Sequence, residues 1–230
     1  MENYNYKAFI VLDGPDGSGK STQAQYLASW LNDLGHKAVY IHFPNYDSTP
    51  GVMIREMLEG KYSDSADGVN MYAASVMYSI DRWAAVHDQY KEYFYSGEYI
   101  IVCDRYNTAN LIHQGAKIAD LNTDGKVMAL STSLNKYHEW LEALEYGKLE
   151  LPEPTMVIYL SVPPEKSIEY LAGTGNKLDI HEKEEDYIKR AYHVGKYYSH
   201  YLGWNIIDCG GDKSIAEIHE KVKDFAIEAI

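Results

Sequence analysis

The chain has 230 residues, enough for one α/β domain with a substantial core and too few for two comfortable ones. With 21 Lys and Arg against 34 Asp and Glu, its net charge is −13, which argues against a nucleic-acid or anionic-membrane surface. No apolar stretch approaches the ~18 residues a bilayer requires, and the N-terminal residues lack the basic and apolar regions of a signal peptide. The two cysteines, Cys103 and Cys209, each close an apolar run. The expectation is a cytoplasmic protein with two reduced core thiols.

Residues 7–13 contain the run Ala8-Phe9-Ile10-Val11-Leu12 and read as a buried strand. Gly14-Pro15-Asp16-Gly17-Ser18-Gly19-Lys20-Ser21 follows, matching the phosphate-loop pattern G-x-x-x-x-G-K-[ST] at each fixed position. Residues 22–34 then place Ala24, Leu27, Ala28, Trp30, Leu31 and Leu34 at helical spacing. Strand, glycine loop and helix in this order aim backbone N–H groups and the positive end of a helix dipole at a phosphate chain. Lys20 would add a point charge at the β- and γ-phosphates, and the Ser21 hydroxyl would ligate Mg²⁺. A nucleoside triphosphate is therefore expected on Gly14, Asp16, Gly17, Ser18, Gly19, Lys20, Ser21 and Thr22.

The next strand, 37–42, leads into Phe43-Pro44-Asn45-Tyr46, placed where a second substrate could be touched. A long helix over 69–95 carries Tyr78 and Arg82 four residues apart, hence on one face. A ring and a guanidinium so placed can stack on a planar base and bond its exocyclic oxygen. The strand 99–104 ends in Asp104, placed to hold Mg²⁺, and Arg105 follows with a planar fork suited to phosphate oxygens. A helix over 123–146, a strand over 155–160 and a helix over 164–171 come next. The polar, glycine-bearing segment 173–182 could close over a triphosphate, and its Asp179 and Glu182 share a face if it turns helically. A helix over 184–202, a strand over 204–208 and a helix over 214–229 complete the chain. Five short apolar runs separated by helices imply a three-layer α/β fold with a five-stranded parallel sheet.

These motifs, taken together, resemble the thymidylate kinases. Asp16 inside the phosphate loop, Phe43-Pro44, Arg82-Trp83, Asp104-Arg105-Tyr106 and Asp179-x-x-Glu182 occur in that family's order and spacing, from Phe9 to the last helix. Phe43-Pro44-Asn45-Tyr46 and Asp179-Ile180-His181-Glu182 look closest to the Firmicute branch. The resemblance implies a P-loop, nucleoside monophosphate kinase-like fold, a single domain over 1–230 with a mobile lid at about 172–183, and a homodimer. It implies transfer of the ATP γ-phosphoryl to dTMP with Mg²⁺. Kinases of another deoxynucleotide or deoxynucleoside, and a weakly active ATP-binding regulator, are the alternatives.

Carried over by position, Asp16 would contact the 3′ side of the deoxyribose, Tyr78 would stack on thymine, and Arg82 would read its O4. Asn110 would bond the base, Arg105 would hold the acceptor phosphate, and Asp179 and Glu182 would belong to the lid. Three positions depart from the family pattern. Tyr46 stands where many members carry a phosphate-binding arginine. The stretch 171–183 has no arginine, which leaves Lys177 or Arg190 to supply a catalytic cation. His113 stands where a tyrosine commonly guards the sugar 2′ position.

Overall fold

Each expected strand forms, to within a residue at either end: β1 (Ala8–Asp13), β2 (Ala38–His42), β3 (Ile100–Asp104), β4 (Met156–Ser161) and β5 (Asn205–Asp208). The computed structural model describes residues 3–119, 127, 131–173, 179–182, 184–211 and 213–230. The strands pair in the order β2-β3-β1-β4-β5, and all four pairings are parallel. Such strands must be covered on both faces, and the alternation along β1 shows how. Ala8, Ile10 and Leu12 pack with Leu27 and Leu31 of α1 (Lys20–Asp33) and Ile218 and Val222 of α9 (Ile215–Glu228). Phe9 and Val11 face the other way, into Val86, Phe94, Cys103 and Tyr106.

Both cysteines are buried free thiols. No helix among the described residues is long and apolar enough to cross a membrane.

The other helices depart from expectation where capping or packing overrides apolar spacing. The helix expected over 69–95 is two: α3 (Met71–His87) and α4 (Lys91–Tyr95). Asn70 caps the start by accepting from Tyr72 N and Ala73 N at 2.9 and 3.2 Å. The break at Asp88 lets both Tyr90 and Phe94 reach the sheet-facing cluster. Two helices were not expected. Ser48 and Pro50 start α2 (Thr49–Leu58), with Ser48 Oγ accepting from Gly51 N at 2.9 Å. The second is α5 (Asn107–Gly115), which directly follows the Asp104-Arg105-Tyr106 corner.

Ser131 caps α6 (Thr132–Glu145), so this helix begins later than the expected 123; residues 123–126 and 128–130 lie outside the described residues. The helices α7 (Pro164–Gly173) and α8 (Glu185–Tyr201) complete the set. In the β1–β3 register Leu12 aligns with Asp104. The phosphate loop and the Asp104-Arg105 corner therefore leave the sheet side by side, at its carboxyl edge, where open α/β sheets bind ligands.

Candidate active site

Glycine is required in the phosphate loop for two separate reasons. A Cβ on Gly14 would sit 2.5 Å from the Leu160 carbonyl oxygen and 2.8 Å from Ser18 Oγ. Gly19 caps α1 at φ 79°, a left-handed conformation that a side chain disfavours. The first residue of α1, Lys20, is buried, and its Nζ donates to the Pro15 carbonyl at 3.2 Å and lies 3.5 Å from Asp16. Burial pulls its pKa down, as does Arg105, while Asp16, Asp104 and Asp13 act against them. Ser21 Oγ donates to Asp104 Oδ2, which the Tyr40 hydroxyl also reaches at 3.4 Å. Asp104 Oδ1 is buried with no hydrogen-bond partner among the described residues. A hydroxyl and a carboxylate with a spare oxygen at a phosphate loop are hard ligands of the kind Mg²⁺ takes alongside phosphates and water.

Arg105 lies one residue further along, at φ 65°, in the region glycine favours. Its backbone N–H donates to Leu12 O at 3.0 Å. Its Nη2 pairs with Asp16, while Nη1 lies 3.1 Å from His113 Nε2 and 3.9 Å from Asp13. Asp13, at the tip of β1, is fully buried and accepts from Gly14 N at 2.8 Å and Thr108 Oγ1 at 2.5 Å. Burial raises its pKa although Arg105 works against that. Burial also disfavours ionised Asp16, but Arg105 and Lys20 outweigh it and hold the carboxyl well below the usual range.

Beside this cluster opens a cavity of about 160 Å³. Asp16, Phe43, Pro44, Tyr78, Arg82, Arg105, Asn110, Asp179 and Glu182 all line it, so the residues expected on the acceptor side come together from five separate stretches of chain. Tyr46, His113 and His181 line it too.

Arg82 is not a surface residue. Only 2 % exposed, it donates from Nε to Glu145 Oε2 at 3.1 Å, from Nη2 to Oε1, and from Nη1 to the Tyr106 carbonyl at 3.4 Å. Asn110 donates from Nδ2 to Ser75 O at 3.3 Å. Asp179 and Glu182 form a turn that bonds to itself. Asp179 Oδ1 accepts from His181 N and Glu182 N at 2.8 and 2.9 Å, and Glu182 Oε2 accepts from Asp179 N at 3.0 Å. Ile180 N ties this turn to Leu58 O at the end of α2, at 3.2 Å. Burial, with Glu182 and Asp16 nearby, pushes the Asp179 pKa up to about 6.

The profile of the thymidylate kinase family matches residues 12–222. The chain belongs to the thymidylate kinase family. It is 27% identical over 187 residues to the thymidylate kinase of Mycobacterium tuberculosis (strain ATCC 25618 / H37Rv), covering 79% of this chain and 80% of that protein. A probable thymidylate kinase of Thermococcus onnurineus (strain NA1) is 31% identical over 175 residues, 75% of each chain. The Arabidopsis thaliana thymidylate kinase is 28% identical over 226 residues, 97% of this chain and 72% of that one. A solved thymidylate kinase from Candida albicans superposes with a TM-score of 0.69 at 22% identity, covering 98% of this chain and 93% of that one, and shares the fold.

Two residues that hold this cluster and its cavity in place, Asp13 and Glu145, were not singled out from the sequence. Asp13 stands at a strand tip as Asp104 does, so the same positional logic reaches it. Glu145, fully buried against Arg82, comes from the end of α6 and carries no local signal. Of the two cation candidates, Arg190 is committed elsewhere, donating to Ala116 O at 3.0 Å and to both Asp67 oxygens at 2.8 and 2.6 Å. Lys177 lies outside the described residues.

Proposed function

We propose that this thymidylate kinase transfers the γ-phosphoryl of ATP to dTMP, giving dTDP and ADP, within one domain spanning 1–230 and a lid at about 172–183. One observation carries the reading. Asp16 and Arg105 belong both to the phosphate-loop cluster and to the lining of the adjacent cavity, so the donor and acceptor phosphates would meet at that pair. Phosphoryl transfer needs in-line positioning and positive charge on the equatorial oxygens rather than covalent help. In this reading the loop amides of Gly14, Gly17, Ser18, Gly19 and Thr22 cradle the triphosphate, and Lys20 meets its β- and γ-oxygens.

Ser21 and Asp104 fit Mg²⁺ through the hydroxyl and the unpartnered carboxylate oxygen. Bound there, the ion would neutralise charge on the phosphates. Arg105 takes the acceptor's phosphate, and Asp16 serves the deoxyribose. Phe43, Pro44, Tyr78, Arg82 and Asn110 enclose and read the base. Lys177, with Asp179 and Glu182, belongs to the lid, and Lys177 supplies its cation. A phosphate acceptor is already an anion and requires no strong base. A nucleoside acceptor would need a carboxylate to take the hydroxyl proton, but Asp16 is paired with Arg105 and Asp104 is bonded by Ser21.

The net charge of −13 supports an enzyme without nucleic-acid or membrane partners, and the two buried free thiols support a reducing, cytoplasmic setting. The outer stripe of α3 supports a homodimer: Tyr72, Val76, Ile80 and Trp83 are 43, 40, 39 and 42% exposed at helical spacing. Trp83→Glu should shift sedimentation to a monomer. The finer placement in the Firmicute branch rests on the tetrapeptides at 43–46 and 179–182. An ATP-coupled assay over the deoxynucleoside monophosphates tests the function: turnover should be strongest on dTMP. Preference for another acceptor, or no turnover, would overturn the reading.

A further inference from the structure

Arg105 is built as more than a charge near a cavity, since three side chains fix its fork. Asp16 takes Nη2, Asp13 lies 3.9 Å from Nη1, and His113 Nε2 lies 3.1 Å from that same Nη1. A guanidinium only donates, so the His113 nitrogen must accept, which requires an unprotonated Nε2 and puts the ring proton on Nδ1. The surroundings agree. Burial and the neighbouring Arg105 charge push the His113 pKa down to about 3. Nδ1 faces the Tyr187 hydroxyl at 3.5 Å, and that hydroxyl donates to the His113 carbonyl at 2.8 Å. The Tyr187 ring lies nearly parallel to His113, at 6.3 Å and 18°, and to His181, at 4.7 Å and 19°. The imidazole is thus held from behind by α8 and the 179–182 turn while its Nε2 addresses Arg105.

We propose that His113 is a positioning residue for phosphoryl acceptance: its Nε2 takes one Arg105 N–H and turns the remaining donors of the fork toward the acceptor's phosphate. This inference rests on the assignment of Arg105 to that phosphate. Asp16 anchors one end of the guanidinium, and Asp13, at 3.9 Å, attracts Nη1 from beyond hydrogen-bond range, so without His113 the group is free to pivot about the Asp16 bond. His113 supplies the second anchor. A fork misaligned by an ångström loses its parallel bonds to phosphate oxygens, which are the source of arginine's advantage over lysine at such sites.

The test compares dTMP with thymidine, the same ligand without the phosphate, in the full-length enzyme with ATP and Mg²⁺. His113→Phe should raise the KM for dTMP by about tenfold or more, the loss expected for one hydrogen bond to a charged group. The inhibition constant of thymidine and the KM for ATP should stay within about twofold of wild type, a margin near 0.4 kcal/mol. His113→Gln places an amide oxygen near the Nε2 position and should restore most of the dTMP affinity. His113→Asn, which reaches only as far as Nδ1, should not, and it serves if the Phe variant fails to fold.

Arg105→Lys separates the inference from the reading beneath it. If Arg105→Lys weakens thymidine as much as dTMP, the phosphate assignment of Arg105 fails. If it is selective for dTMP and His113→Phe is not, the positioning role fails alone. Adding His113→Phe to Arg105→Lys should cost little more than Arg105→Lys by itself. Full additivity, or failure of Gln to restore dTMP affinity, would overturn the proposal.

Discussion

Replacing Glu145 with Gln tests the least expected feature of the cavity proposed for the acceptor, the burial of Arg82 against a carboxylate from α6. The two side chains are 2 and 0% exposed. The substitution keeps the volume and removes the charge, leaving a guanidinium inside the protein without a counter-ion. Breaking a buried pair in this way costs about 3–5 kcal/mol. Ser79 contributes little to the sum, because its hydroxyl, 2.6 Å from Glu145 Oε1, also reaches Ser75 O at 2.8 Å. For a chain of this length, ~2–4 °C per kcal/mol converts the loss into a fall in Tm of roughly 6–20 °C. Urea and thermal unfolding of the unliganded enzyme measure it. The double variant Arg82→Met with Glu145→Leu removes both charges at similar volume and should recover most of the stability. It should nevertheless bind dTMP far more weakly, since the guanidinium no longer faces the cavity. A Glu145→Gln variant within about 1 kcal/mol of wild type, well under the cost of a broken buried pair, would refute the account of this pair. So would a double variant no more stable than the single one.

Asp179 should give stability a local pH dependence. Its folded pKa of about 6 lies above its ordinary 3.8, so the folded state binds the proton more tightly and stability falls as pH rises between those values. Asp179→Asn keeps a side-chain oxygen for the His181 and Glu182 amides. It should be more stable than wild type at pH 7, with the gap shrinking as pH falls toward 4; a gap independent of pH would contradict the assignment. Gly14→Ala drives a Cβ to 2.5 Å from Leu160 O, and strain of about 1–3 kcal/mol should displace the loop. Calorimetry should then show ATP affinity down at least tenfold, and unchanged affinity would mean that the loop does not need its close approach to β4. Asp104→Asn weakens the carboxylate that meets Ser21, so half-maximal activity should need more Mg²⁺ while the KM for dTMP holds.

The strands were legible because parallel strands buried on both faces must be continuous apolar runs, and the phosphate loop because its backbone needs fix glycine at set places. The helices were less so. Asn107, Thr108, Asn110 and Gln114 of α5 are all buried yet polar: Asn110 lines the cavity, Thr108 bonds Asp13 and Asn107 bonds the Tyr146 hydroxyl, so apolar spacing fails to mark the helix. The start of α2 was written in Ser48 and Pro50, a capping signal in a segment with little apolar spacing to draw attention to it. The break at Asp88 follows from tertiary packing of Tyr90 and Phe94, which no local pattern records. For the site, strand tips pointed to Asp104 and Arg105, and helical spacing paired Tyr78 with Arg82. Tertiary pairing was invisible: His113 with Arg105 across the turn into the unexpected α5, and over long separations Glu145 with Arg82 and Asp67 with Arg190. Each depends on how helices pack, and the last removes Arg190 as a candidate cation.

The most direct test of the central claim is a crystal structure of the enzyme with dTMP, Mg²⁺ and a non-hydrolysable ATP analogue. The account expects the triphosphate on Gly14–Ser21, the ion against Ser21 and Asp104, and the dTMP phosphate on Arg105 with thymine between Tyr78 and Arg82. A dTMP phosphate bound away from Arg105, or a nucleotide base lodged outside the cavity bordered by Phe43 and Asn110, would contradict it.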